Sequence, residues 1–189
     1  MIQLTDLRVE AIAQFAEYLR ALPVNNGEGE NGKMRQGCTI LVRHKETGTT
    51  FSWRFNEHDT PERRVLTWRF ANEKLERISE NGDARSAFTA SPDEGKYAGA
   101  IANDAWVISV SGWPADQDEV LAAYVLGVMS VHNALPQTMT WNNYCERSGS
   151  FVDSFYDEHF KGSEFPNESF YLLRDFIAEK GEIHISDFA

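Results

Sequence analysis

Twelve consecutive residues, Val120–Val131 (VLAAYVLGVMSV), carry no charge, and the turn before them carries three acids, Asp116, Asp118 and Glu119. Acids suit the positive end of a helix. A helix that is apolar on nearly every side must be buried, at the centre of the molecule or in a subunit interface. It is shorter than the roughly twenty apolar residues of a membrane span. The rest of the chain therefore has to surround it. A hydrophobic share of 42% and an aromatic share of 12% over 189 residues make that possible for one domain with an extension.

Local signals supply the surrounding elements. Thr5–Leu22 reads as an amphipathic helix with Leu7, Ile12, Phe15, Leu19 and Leu22 near one stripe. Pro23 ends it, and the polar, glycine-rich stretch Asn25–Gly32 reads as a surface loop. Cys38–Arg43 and Thr50–Phe55 read as a hairpin, with Phe51, Trp53 and Phe55 inward and Ser52 and Arg54 outward. Thr60-Pro61-Glu62 is a helix start, and Asn81-Gly82 is the stop. Val65, Leu66, Trp68, Phe70, Leu75 and Ile78 give that helix its apolar material. Ala98–Ala102 and Trp106–Ser111 read as a second hairpin around Asn103-Asp104, and Gly112 frees the backbone for the exit from the strand. Further on, Phe151–Phe160 and Asn167–Lys180 read as helices, and Glu182–Phe188 alternates like an edge strand.

Charge and motif content exclude several functions. With 18 basic residues against 29 acidic ones the net charge is −11, which opposes a nucleic-acid surface. Residues 136–189 hold ten of the acids and four of the bases. Cys38 and Cys145 are too few for a disulfide framework, and the start has no basic, apolar leader. A reduced, cytoplasmic protein without membrane or nucleic-acid partners is expected. The histidines at 44, 58, 132, 159 and 184 show no metal-ligand spacing. Ser109 and Ser111 lack a nucleophile elbow, and Cys38 reads as a small core residue. The acids at 116, 118 and 119 are explained by the amides and dipole of the helix start. No catalytic set emerges.

The segment VISVSGWPADQDEVLAAYVLGVM resembles the C-terminal signature of the haem-binding GlcG/HbpS-like family, with Val110, Ser111 and Gly112, then Asp118 and Glu119, at the matching positions. The upstream order of elements is similar, so the resemblance spans about residues 5–135. It implies an α+β, profilin-like fold: an antiparallel sheet of about five strands with helices packed on its faces. It also implies a small-molecule or haem binder that forms a homo-oligomer. Members carry a Gly-Gly pair and a Pro where this chain has Gly95-Lys96-Tyr97-Ala98-Gly99. Residues 136–189 form an acidic, aromatic-rich helical extension outside that pattern. If haem or a similar planar ligand binds, the expected lining is Arg54, His58, Lys74, Tyr97 and Gly99. Arg54 or Lys74 would meet carboxylates, Gly99 would allow close approach, and His58 or Tyr97 would ligate iron. The alternative is an acidic interaction or scaffolding protein that uses the aromatic rings of the extension.

Overall fold

The structure, a computed structural model, describes residues 6–28, 34–55, 60–132 and 141–180, with side chains over 8–28, 34–55, 60–130 and 150–178. Strands β1 (Cys38–His44), β2 (Thr50–Phe55), β3 (Ala100–Ala102) and β4 (Trp106–Ser111) form one antiparallel sheet in the order β2-β1-β4-β3. Among the described residues the helices are α1 (Asp6–Ala21), the single turn α2 (Pro23–Asn26), α3 (Pro61–Asn81), α4 (Ala115–His132), α5 (Trp141–His159) and α6 (Phe170–Lys180). The class is α+β. Four strands are present among the described residues, against the five expected, and the expected edge strand Glu182–Phe188 lies outside them.

Both central strands are covered on both faces. Ile40, Val42, Ile108 and Val110 point toward α1 and α4, while Leu41 and Val107 meet Ala71, Leu75 and Ile78 of α3. Full burial of each such side chain stabilises the fold by about 1.5–3 kcal/mol. The polar residues in these strands are satisfied within the α3 layer. Ser109 Oγ donates to the Ala71 carbonyl at 2.6 Å, and Thr39 Oγ1 lies 3.1 Å from Thr67 Oγ1. Ser109 is thus a structural residue. The edge strand β2 keeps its expected polarity, with Trp53 and Phe55 against the core and Arg54 exposed.

Helix α3 begins and ends where its caps dictate: Thr60 accepts from Arg63 N–H, and Gly82 N–H donates to the Ile78 carbonyl. Its buried face differs from the apolar residues picked out in the sequence. Thr67, Ala71, Lys74, Leu75 and Ile78 are inward, whereas Val65, Leu66 and Trp68 are exposed. The helical period sets the face, and it places three polar residues, Thr67, Lys74 and Arg77, inside because polar partners await them.

Helix α4 is buried by the chain itself. Phe15 and Leu19 of α1, Val152 and Phe155 of α5, and Leu173 and Phe176 of α6 share its core cluster. The subunit-interface alternative for this helix therefore loses its basis. Asn25, expected in a flexible loop, is also buried; its amide donates to the Leu19 carbonyl and to Gln117 Oε1. Helix α5 starts at Trp141, well before the expected Phe151.

One buried ion pair ties residues 159–167 to this core. Arg85 (1% exposed) donates to both carboxylate oxygens of Glu119 (2% exposed) at 3.1 and 2.9 Å. Its remaining donors reach the carbonyls of His159 and Phe165 and the Ser163 hydroxyl. The guanidinium sits 3.8 Å from the centre of the Phe160 ring, and Asn167 Nδ2 adds a bond to Glu119 Oε2. Glu119 is therefore a buried partner for Arg85, a role beyond the one its place at the helix start implies.

Gly112 matters for a reason other than the expected one. Its φ is not positive. A Cβ there would stand 2.4 Å from the Gly37 carbonyl oxygen and 2.7 Å from Cys38 Cα, both backbone atoms that cannot rotate away. Gly112→Ala is expected to cost about 1–3 kcal/mol, the usual range for overpacking. Urea denaturation checks it, and an unchanged midpoint would show that the crossing is looser than the structure has it.

Candidate functional site

The corner between β4 and α4 is shaped by one carboxylate. Asp118 Oδ1 accepts from Trp113 N–H at 3.0 Å, while Asp118 N–H donates to the Pro114 carbonyl at 2.8 Å. These two bonds fold Gly112–Ala115 into a tight arch. The other oxygen, Oδ2, takes the Lys74 ammonium at 3.0 Å, and Lys74 Nζ also donates to the Val110 carbonyl at 2.7 Å. Both side chains are almost fully enclosed, at 2% and 3% exposed. Burial pushes the Asp118 carboxyl up to about 6, outweighing the downward pull of Lys74 and of the Trp113 amide.

Above this pair opens a cavity of about 490 Å³, within the range of small-molecule sites, roughly 300–1,000 Å³. Arg63, Thr67, Phe70 and Lys74 line it from α3. Their spacing of four, three and four residues is that of one helical stripe, so a single face of α3 forms one wall. Trp113, Pro114 and Ala115 form the opposite wall, and Arg35, from the segment before β1, closes one side. Tyr97 stands at the rim with its ring edge-on to Phe70, centroids 5.4 Å apart.

The cavity is cationic within an acidic chain. Arg35, Arg63 and Lys74 face it, with Asp118 as the opposing carboxylate. Burial lowers the Arg35 pKa, Asp118 opposes that shift, and Arg63 adds to it by like-charge repulsion. Three donors on this wall, Arg35 Nε, Arg63 Nε and Trp113 Nε1, are buried without a hydrogen-bond partner among the described residues. Such orphan donors are rare in folded proteins.

The expected lining is only partly assembled here. Lys74 and Tyr97 line the cavity. Gly99 lies beneath it: with φ +124°, its missing Cβ would meet Lys74 Nζ at 2.6 Å and Asp118 Cβ at 2.7 Å. Its role is to let the backbone pass the ion pair, not to admit a ligand. Arg54 is exposed on the edge strand opposite Thr39 and does not line the cavity. His58 lies outside the described residues. Lys74, expected to meet a ligand carboxylate, already holds one from its own chain. Asp118 likewise proves to be part of a buried pair, which a helix-start role did not anticipate.

Sequence reasoning missed Arg35, Arg63 and Trp113. Arg63 was reachable from Lys74, an expected site residue, by stepping back four, three and four residues along one helical face. No local signal marks Arg35. Ser111 faces the cavity, but no histidine lies among its described lining residues. Cys38 is fully buried, and burial raises its thiol well above the ordinary value, which opposes nucleophilic use. Among the described residues no His/Cys/Asp/Glu group is arranged to hold a metal ion, and no helix is long and apolar enough to cross a membrane.

No protein-family model, curated protein or solved structure matches the chain.

Proposed function

We propose that the chain is a small-molecule binding module whose site is the cavity between α3 and the Gly112–Ala115 arch. The observation that carries this reading is the make-up of the cavity. Apolar walls from Leu66, Phe70, Trp113 and Pro114 enclose a floor formed by a fully desolvated Lys74–Asp118 pair. Pockets that combine apolar walls with a few convergent polar groups are the usual architecture of ligand sites. The resemblance to the GlcG/HbpS-like family supports it in one respect: the signature segment, 107–129, contributes residues 111–115 and Asp118 to the cavity lining. The sheet order, with helices on both faces, supports the profilin-like arrangement that the resemblance implies. The free, buried Cys38 is in keeping with a cytoplasmic setting. For a homo-oligomer, the supporting surface is the outer face of α3, where Val65 and Trp68 are exposed.

Haem fits the described lining poorly. Arg54 is absent from the wall, Lys74 is committed to Asp118, and Tyr97 is the one potential iron ligand among the described lining residues. The scaffolding alternative loses surface as well. Among the described side chains of the extension, Phe155 and Phe160 are buried and Phe151 and Tyr156 half-buried, which leaves Phe165 and Tyr171 exposed.

Ala115 offers the test. It lines the cavity at the first position of α4, so Ala115→Trp should fill the space without touching the ion pair. Aromatic fragments screened by ligand-observed NMR are expected to bind the native chain and to lose that binding in Ala115→Trp, with the two melting curves superimposable. Fragments that bind both proteins equally, or neither, would overturn the reading.

A further inference from the structure

We propose that the ligand of this cavity is a small planar carboxylate, held by Arg35, Arg63 and the Trp113 indole N–H. The inference rests on the binding reading above and adds the chemistry of what binds. Each of these three residues presents a buried N–H with no partner among the described residues, and all three line the same cavity. Trp113 lines the cavity and is 4% exposed, so its indole donor is shielded from bulk water. A buried donor left unsatisfied is unfavourable by about 1–3 kcal/mol. Three around one cavity describe a receptor for an acceptor group.

Charge selects which acceptor. Two guanidiniums that repel one another, in a chain of net charge −11, are held together at the expense of stability unless an anion lies between them. The floor limits that anion's charge. Lys74 is neutralised by Asp118, and Asp116 acts on Arg35 as a further negative charge, so the excess left to Arg35 and Arg63 is less than two full charges. Asp118 would also repel a compact multivalent anion driven to the bottom of the cavity. The apolar walls then need a body attached to the anionic group. Phe70 and Trp113 offer aromatic surface, and Pro114 and Leu66 offer aliphatic contact. A flat ring bearing one carboxylate meets all three conditions: the carboxylate accepts from the guanidiniums, the ring meets the aromatic surfaces, and no further charge is buried.

Calorimetry or NMR titration of the full chain with benzoate, benzamide and inorganic phosphate tests the assignment. Benzoate is expected to bind at least about tenfold more tightly than its neutral isostere benzamide, the effect of one charge-assisted contact. Arg35→Met and Arg63→Met should each weaken benzoate more than benzamide, whose carbonyl accepts from the same donors without a charge. Added salt should weaken benzoate alone, which keeps the test valid if either variant fails to fold. Equal binding of benzoate and benzamide, lost in Ala115→Trp, would overturn the carboxylate assignment and leave the binding module standing. Phosphate binding without benzoate binding would overturn the planar body. Absence of any cavity-dependent binding would remove both proposals together.

Discussion

Lys74→Met is expected to destabilise the fold by about 3–5 kcal/mol at neutral pH, the usual effect of removing one partner from a buried ion pair. The cause is the carboxylate left behind. Asp118 is 2% exposed, and without the ammonium the Trp113 N–H is its one hydrogen-bond partner among the described residues, with Arg35 as a more distant cation. The Val110 carbonyl loses its donor as well. The defect has a pH signature. In the folded chain Asp118 titrates at about 6, against an ordinary value of 3.8. Between those values the folded state binds the proton more strongly than the unfolded state. The stability that this group contributes is therefore fully present below the lower value and is lost as pH rises through the upper one. Lys74 pulls the folded value down, so its removal moves the window upward. The penalty of Lys74→Met should accordingly be smaller near pH 5 than near pH 8, roughly the two sides of that window. Urea denaturation at both pH values measures it. Equal losses at both would show that Asp118 is not the buried, unpaired group. Lys74→Met combined with Asp118→Leu should recover part of the loss: the apolar pair removes the stranded charge, while the Trp113 N–H and the Val110 carbonyl stay without these partners.

Arg85→Ala should be as severe, again about 3–5 kcal/mol, with a different spatial signature. It strands Glu119, which is 2% exposed, and removes the donors of the His159 and Phe165 carbonyls. The Phe160 ring loses the cation above it. All these partners belong to α4 or to residues 159–165, so the segment 159–167 should be released first. Lys161 is already exposed there, at 69% of its side chain, and tryptic cleavage after it should accelerate in the variant. Arg85→Lys should not rescue, since an ammonium cannot replace a guanidinium bound to both carboxylate oxygens. A variant with native melting and native cleavage at Lys161 would show that the clasp contributes little.

The parts of this fold legible in the sequence are those with local causes. Thr60-Pro61 and Gly82 bound α3 because capping is decided within four residues. Asn103 turns the second hairpin because its own side-chain oxygen accepts from Ala105 and Trp106 N–H. The uncharged run at 120–131 announces burial, and the core closes around it. What could not be read depends on pairs far apart in the chain. Lys74 and Asp118 are 44 residues apart, and Arg85 and Glu119 are 34 apart. Nothing in either partner's neighbours signals the other. Hydrophobicity also misled on α3, where Val65 and Trp68 face out and Thr67 and Lys74 face in. A buried helix face is set by period and by what opposes it. The candidate site follows the same rule. Tyr97 and Lys74 were within reach of sequence reasoning, while Arg35 reaches the cavity only through tertiary structure.

The indole N–H of Trp113 reports most directly on the claim that this cavity receives a ligand. In a ¹⁵N-labelled sample its resonance, assigned by Trp113→Phe, can be followed during a benzoate titration. A saturable shift of that signal is predicted, with Trp53, Trp68 and Trp106, which do not line the cavity, unmoved. A stationary Trp113 signal at saturating benzoate would contradict the account.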